Sequence, residues 1–530
     1  APYLIENFKP ERVRHILEQM QVDRLQLIIT DPQLQSAQKT GWYDVAYEAQ
    51  KIDPAWLRAW KQPGSEEALS LPVPNPFIAQ QLELLPLETD AELPQELDTS
   101  LPVQLWHQTE LGFGQPKAEL YFTLRSTAAN ASARERLLTE LYVIAVREAL
   151  NTYSYPALLA GLQYRIYPHP RGLSVRISGY AEKQVQLLET IIDGMLNLEI
   201  DPQRFDLYLE NVKQGLENSL KGRPSARVVD GVYDLLLTSN WTTGEKLEVL
   251  SGLDLQGLRQ HARALLDNPQ LIVLSVGNVS REKSLEAAQQ VGRLHTGHKT
   301  VEAVPRARIR KLEAGQWTLY NSPAIPDDAA MVLLFQGRAA TLEELAIVEM
   351  LGALVRTPYY QALRTEGQLG YIVQAFAFNL LDTPALGFSI QSNSHAVDEL
   401  VSRTDRFLED YKLVLAQLPD SLFDSTREGL VARLTEEEKQ LSEMAARYWS
   451  EIDRESYDFD TRERLVAAIE GLDKQQLLEY FEQLIARDSA SVLLSFSYGN
   501  KSEKISVPAE AGRVQYESPS EIRDALNVYF

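Results

Sequence analysis

Cysteine is absent from all 530 residues, and with it go disulfides, thiolate metal sites and a cysteine nucleophile. No apolar run approaches the ~18 residues that a membrane-spanning helix needs. The N-terminus, APYLIENFKPERV, has neither a basic region followed by an apolar core nor a small-residue cleavage site, so it does not read as a signal peptide. Positive charge is scarce: 52 Lys and Arg against 74 Asp and Glu give a formal net charge of -22 and a pI near 4.9. Such a chain repels nucleic acid at long range and lacks the basic patch needed to neutralise phosphates. Neither a nucleic acid nor a membrane is expected as a partner.

The usual catalytic signatures are missing as well. Neither G-x-S-x-G nor G-x-x-x-x-G-K-[ST] occurs. The seven histidines give no metal pattern. His15, in HILEQ, stops one residue short of H-x-x-E-H, because Gln19 stands where a second imidazole would have to be and a carboxamide is a poor zinc ligand. His295 and His298 are three apart in a glycine-containing loop without an acid nearby, while His107, His169, His261 and His395 stand alone. The acidic run TEEE (435–438) reads as the solvated face of a helix. No metal site and no complete catalytic apparatus is expected in this chain.

What is present is a globular composition, 44% apolar and 24% charged, at a length that suggests about three domains. Two stretches share one order of elements. The first runs through the strand AELYFTLRS (118–126), a helix over 134–150, a short helix near 155–161, and strands LQYRIYP and LSVRISGY (173–180). The second runs through AAMVLLFQG (329–337), a helix over 342–355, a short helix PYYQALR (358–364), and strands GYIVQAFAF (370–378) and LGFSIQS (386–392). Long helical stretches follow each, over 183–220 and 396–448, and each set closes with a helix, a polar break and a strand (258–278 and 477–500). Helices are read from apolar residues recurring at three and four, strands from alternation. The expected fold class is α+β: duplicated αβ domains, each a mainly antiparallel sheet packed with helices.

The closing helix–strand signature also appears in PERVRHILEQMQVDRLQLIIT (10–30), so residues 1–60 read as the tail of a further αβ domain whose body lies outside the chain. Residues 61–102 form a linker. Its later part, 70–102, holds six prolines and many acids, a composition that favours extended chain along a surface, with NPFI (75–78) suggesting one anchored point. The remaining divisions are a third domain at 103–315 and a fourth at 316–530.

One stretch looks functional. In LRTEGQLGYIV (363–373), Arg364 and Tyr371 bracket a turn punctuated by Gly367 and Gly370. Glycine permits backbone angles that other residues avoid, so the turn could aim a guanidinium and a phenol at one spot. Equally, Arg364 could pair with Glu366 while Tyr371 merely starts a strand.

The stretch 363–373 resembles the L-R-T-x-x-Q-L-G-Y-x-V signature of the C-terminal half of the pitrilysin/insulysin family of zinc metallopeptidases. PYLIENFKPE (2–11), GWYDVAYEAQKI (41–52), PNPFI, QPKAELYF (115–122), ALLAGLQY (157–164), GNVS (277–280) and ARYWSEI (446–452) extend the resemblance along nearly the whole chain. It implies four related αβ domains in two halves that enclose a chamber. The zinc and the H-x-x-E-H motif would belong to an N-terminal half, on the same polypeptide or on a separate chain. Arg364 and Tyr371 would reach across to peptide substrates at that site, as catalytic and substrate-binding residues. Tyr360 would line a substrate side-chain pocket where the family has a Phe-like residue. The chain by itself is expected to be inactive. Periplasmic and cytoplasmic locations both occur in such a family. Two other readings stand beside this one: a separate non-catalytic subunit that pairs with a zinc-bearing chain, and a peptide-binding scaffold without catalysis.

Overall fold

The computed structural model describes residues 8–62, 73–86, 92–297, 303–499, 505, 512–526 and 528–529. His298 and parts of the 2–11 and 70–102 stretches lie outside them. The chain divides into two compact units, Ala1–Pro74 and Asn75–Phe530.

In the first unit, a helix spans Pro10–Gln19 with Pro10 at its start, where a missing N–H costs nothing. Asp53 caps a second helix, Pro54–Lys61, by accepting from the Ala55 N–H at 2.7 Å. The strand expected over RLQLIIT is not formed: residues 25–30 pair with no described residue. Alternating apolar residues make a strand only when a neighbouring strand satisfies their backbone groups. Ile28 and Ile29 are accordingly exposed, at 80% and 70%.

Among its described residues the second unit holds two six-stranded sheets. The first sheet contains β1 (Gln95–Leu97), β2 (Val103–Thr109), β3 (Lys117–Arg125), β4 (Leu162–His169), β5 (Gly172–Tyr180) and β6 (Gln270–Gly277), in the order β1-β2-β6-β3-β5-β4. The other contains β7 (Gln316–Asn321), β8 (Ala329–Gln336), β9 (Ile372–Leu380), β10 (Thr383–Ser392), β11 (Ser491–Ser497) and β12 (Gly512–Tyr516), in the order β12-β7-β11-β8-β10-β9. Leaving out β1 and β12, the two are one topology. In each, one parallel pair (β2/β6, β7/β11) is followed by an antiparallel run of β6-β3-β5-β4 or β11-β8-β10-β9.

The central strands are buried on both faces. In β8, Ala329, Met331, Leu333 and Phe335 face one core, and Ala330, Val332 and Leu334 face another, as the two-residue period of a strand requires. The first of these cores is closed by the helix Leu342–Tyr359, which Thr341 caps through the Glu344 N–H. The second is closed from elsewhere in the chain. The helix Pro224–Leu236, which lies between β5 and β6 in the chain, lays Val228, Val232 and Leu235 on the second sheet. The helix Leu441–Arg454, at the corresponding place in the second repeat, lays Ala445, Tyr448, Trp449 and Ile452 on the first sheet. Each repeat thus lends a helix to the other's sheet. Beside that contact the buried Arg125 guanidinium meets Asp453 at 3.1 Å and Glu455 at 3.3 Å, and Arg171 also pairs with Glu455.

The proline-rich segment is anchored where NPFI suggests. Phe77 is buried in the first core, and Asn75 Nδ2 donates to Pro156 O at 2.7 Å. Glu182 accepts from the Gln80 and Gln81 N–H groups, and Asn278 bonds Leu85 N and Glu83 O.

Two local expectations change. TEEE is not a helix face; residues 436–440 link the helix Asp420–Leu434 to Leu441–Arg454. Glu438 accepts from Arg447 at 2.6 Å and from Arg462 at 2.9 Å, so cations from two later helices hold the run at a corner. PYYQALR is not a separate helix either. Leu342–Tyr359 runs directly into a wide π turn, Tyr360–Glu366. Pro358 supplies no N–H and its ring crowds the preceding carbonyl, and the chain continues by loosening rather than stopping.

Candidate functional site

The π turn ends where Gly367 N–H donates to Ala362 O, five residues back, at 2.9 Å, and Leu369 N–H to Leu363 O at 3.0 Å. Within the turn Leu363 is buried against the core while Tyr360 is half exposed and Arg364 partly so. Arg364 makes no hydrogen bond or ion pair with any described residue. Glu366, its candidate local partner, instead accepts from Gln361 Nε2 at 3.3 Å.

Tyr371 stands one residue before β9, 50% exposed. Its hydroxyl donates to Asp328 Oδ2 at 2.8 Å. Gln391 Nε2 donates to the same Asp328 oxygen at 2.9 Å and also to the Tyr371 oxygen. Partial desolvation first, and then the Asp328 carboxylate that accepts its proton and repels the phenolate, push the Tyr371 phenol above its ordinary range, with Arg223 acting the other way. No hydrogen bond or ring contact among the described residues joins Tyr360 or Arg364 to Tyr371. The structure brings Tyr371 together with Asp328 and Gln391, which the sequence did not single out. Gln391 did carry a signal: a lone amide at the end of the apolar strand LGFSIQS.

The glycines act differently from expectation. The left-handed angle in the turn falls on Gln368, at φ 49, not on a glycine, and Gly367 is right-handed at φ -77. Gly370 is needed for close approach: a Cβ there would lie 2.1 Å from Gln391 O. The absence of a side chain lets the backbone before Tyr371 lie against β10.

Among the described residues β9 is an edge strand, paired without a bulge to β10 over nine residues and carrying no charge or proline. Its counterpart β4 carries Arg165 and Pro168, devices that keep an edge from pairing further. Among the described residues no three His, Asp or Glu side chains gather as a metal site, and no helix is long and apolar enough to cross a membrane. The buried His107 and His261 and the half-buried His169 are engaged within the fold: His107 Nδ1 bonds Ser284 Oγ, His261 Nε2 bonds Thr139 Oγ1, and His169 Nε2 bonds Thr123 Oγ1.

Two family profiles match the chain. "Middle or third domain of peptidase_M16" covers residues 1–249, and "PQQ synthase PqqF-like, C-terminal lobe domain 4" covers residues 350–449. The chain is 26% identical to human insulin-degrading enzyme over 498 residues, 92% of this chain and 49% of that protein. It is 24% identical to the A-factor-processing enzyme of Saccharomyces cerevisiae over 499 residues, 93% of this chain and 48% of that one. It spans about half the length of the curated relatives it matches. In fold it resembles the crystal structure of pitrilysin with a TM-score of 0.87, at 21% identity, covering 98% of this chain and 56% of that one. It also resembles a peptidase M16 inactive domain from Pseudomonas fluorescens, with a TM-score of 0.60 and 10% identity, covering 78% of this chain and 99% of that one. The duplicated sheets, the 363–373 signature and these likenesses agree: the chain belongs to the insulysin/pitrilysin family of M16 peptidases and corresponds to the C-terminal half of its members.

Proposed function

We propose that this chain is the C-terminal half of a zinc metalloendopeptidase, forming a chamber wall that holds peptide substrates and stabilises the transition state. Residues 103–315 would be its third domain and 316–530 its fourth. The zinc and the H-x-x-E-H motif would be carried by an N-terminal half, on the same polypeptide or on a separate chain.

The observation that carries this reading is the state of the signature residues. Arg364 has a guanidinium without a described partner, and Tyr371 a half-exposed phenol beside an unprotected strand edge. Cleaving a peptide bond builds negative charge on the carbonyl oxygen, and a preplaced phenol O–H stabilises that charge where water is excluded. Arg364 can hold neighbouring backbone carbonyls in register through its fork of donors. Tyr360 would touch a substrate side chain.

In the complete peptidase, Tyr371→Phe should lower kcat roughly a hundredfold and leave the peptide KM within about threefold, because the O–H acts in the transition state and not in binding. Unchanged kcat would remove Tyr371 from the mechanism. The likeness to a solved M16 inactive domain favours a second reading, a non-catalytic subunit paired with a zinc-bearing chain. An immunoblot of native cells separates the two: a band far heavier than 59.9 kDa supports one polypeptide, and a band at that mass supports the subunit.

A further inference from the structure

We infer that Asp328 and Gln391 are positioning residues for the Tyr371 phenol, a clamp that keeps a half-exposed side chain in one place while its proton changes acceptor. The inference rests on the proposed role of Tyr371 for its catalytic part, though the clamp itself stands on geometry alone.

An exposed tyrosine would ordinarily sample several rotamers. Here the oxygen is held from two sides, and the direction of each hydrogen bond is fixed by a third group. Gln391 is 1% exposed, and its Oε1 accepts the Ser225 N–H at 3.0 Å. Ser225 lies in the first turn of Pro224–Leu236, the helix lent by the other repeat. With its carbonyl end so engaged, the amide must present Nε2 to Tyr371 and Asp328. The Tyr371 oxygen therefore accepts from Gln391, and its own proton goes to Asp328 Oδ2.

The backbones carrying the three side chains are pressed together as well. Gly370 rests on Gln391, and at Gly499 a Cβ would fall 2.2 Å from Asp327 O and 2.7 Å from the Asp328 carbonyl carbon. Neither Asp328 nor Tyr371 can shift along its chain without opening these contacts.

The consequence for catalysis is a change of hydrogen-bond acceptor without movement of the oxygen. In the resting state the phenol proton points to Asp328. When negative charge grows on a substrate carbonyl oxygen, the O–H rotates toward it. Gln391 goes on donating to both the phenol oxygen and Asp328, so neither is left bare. No proton leaves the phenol and no covalent bond changes. Positioning of this kind lowers the barrier by removing the cost of ordering the donor during the reaction.

The test has one arm without catalysis and one with it. In this chain, ring-carbon-labelled tyrosine NMR follows the phenols through their titration, with the Tyr371 resonance assigned by its loss in Tyr371→Phe. Asp328→Ala should move the Tyr371 titration to lower pH, since a carboxylate that opposed ionisation is gone. In the complete peptidase, Asp328→Ala should lower kcat about tenfold with KM unchanged. Asp328→Asn keeps an acceptor but not the charge; it should shift the titration yet keep kcat within about threefold of the native value. The Tyr371→Phe/Asp328→Ala double variant should be no slower than Tyr371→Phe alone, because Asp328 acts only through the phenol. A Tyr371 titration unmoved by Asp328→Ala, or losses that multiply in the double variant, would overturn the clamp. A Tyr371→Phe enzyme with native kcat would instead overturn the proposed catalytic role, and the titration would still decide whether the clamp exists.

Discussion

Phe77→Ala should cost the Asn75–Phe530 unit about 3–5 kcal/mol, the range for truncating a fully buried aromatic. The side chain is 1% exposed and belongs to the first core, although its neighbours in sequence are proline-rich, extended chain. Two hydrogen bonds make the insertion specific. Asn75 Oδ1 accepts the Phe77 N–H at 3.0 Å, turning the backbone so that the ring points inward, and Asn75 Nδ2 ties that turn to Pro156 O. Truncation removes the ring's packing and leaves a cavity that an extended segment, pinned just beyond the ring by Glu182 and Asn278, cannot collapse to fill. Urea denaturation of the chain reads the loss, and limited proteolysis within 73–86 should become faster. Ile78→Ala is the control: at 55% exposure it should stay within about 0.5 kcal/mol of native. Equal effects of the two substitutions would mean that the segment is not anchored by Phe77.

Glu119→Gln should stabilise the protein by about 3 kcal/mol at pH 8 and by about 1 kcal/mol at pH 5. Glu119 lies on β3, 7% exposed, on the face covered by the helix Leu441–Arg454. Burial pushes its carboxyl up to about 7, only partly offset by the Tyr121 hydroxyl, Arg176 and Lys117. A folded-state pKa above the unfolded one means that the group's contribution is fully present below about 4.5 and is lost as pH rises through about 7. Above that, the fold carries a buried carboxylate, and the isosteric amide relieves it.

The same range contains an opposing effect. Burial holds His107, His169 and His261 down at about 4. Their contribution is present above about 6.5 and is lost as pH falls through about 4. The native chain therefore sets an acid that favours low pH against imidazoles that favour high pH. Glu119→Gln should expose the imidazoles, giving a variant whose stability falls more steeply between pH 8 and 5 than that of the native chain. Denaturation midpoints at the two pH values decide; a variant gaining equally at both would show that Glu119 titrates normally.

The sequence by itself determined the repeat. Alternation in AELYFTLRS and AAMVLLFQG, and the three-and-four spacing of the helices behind them, depend on which residues must leave water. That is a local property of each segment, and it was enough to place β3, β5, β8, β9 and β10 to within a few residues. The 363–373 signature was likewise legible as a string.

Elsewhere local pattern misled because the deciding partner lay far away in the chain. RLQLIIT alternates like a strand, but no described strand stands beside it. TEEE reads as a helix face, but Arg447 and Arg462 hold it at a corner. The turn before Tyr371 is punctuated by glycines, but its left-handed residue is Gln368, and Gly370 is required by contact with Gln391, a residue on another strand.

Only the tertiary structure decided that the two repeats exchange helices. A strand buried on both faces shows in sequence as an apolar run, but nothing in that run names the segment that will cover it. Only the structure, too, set Asp328, Tyr371 and Gln391 on one hydrogen-bonded oxygen pair. They come from the ends of three strands that are adjacent in the sheet but up to 63 residues apart in the chain. Hydrogen bonding acts over about 3 Å and is indifferent to sequence separation, so the geometry of such a site exists only once the sheet has brought those ends together.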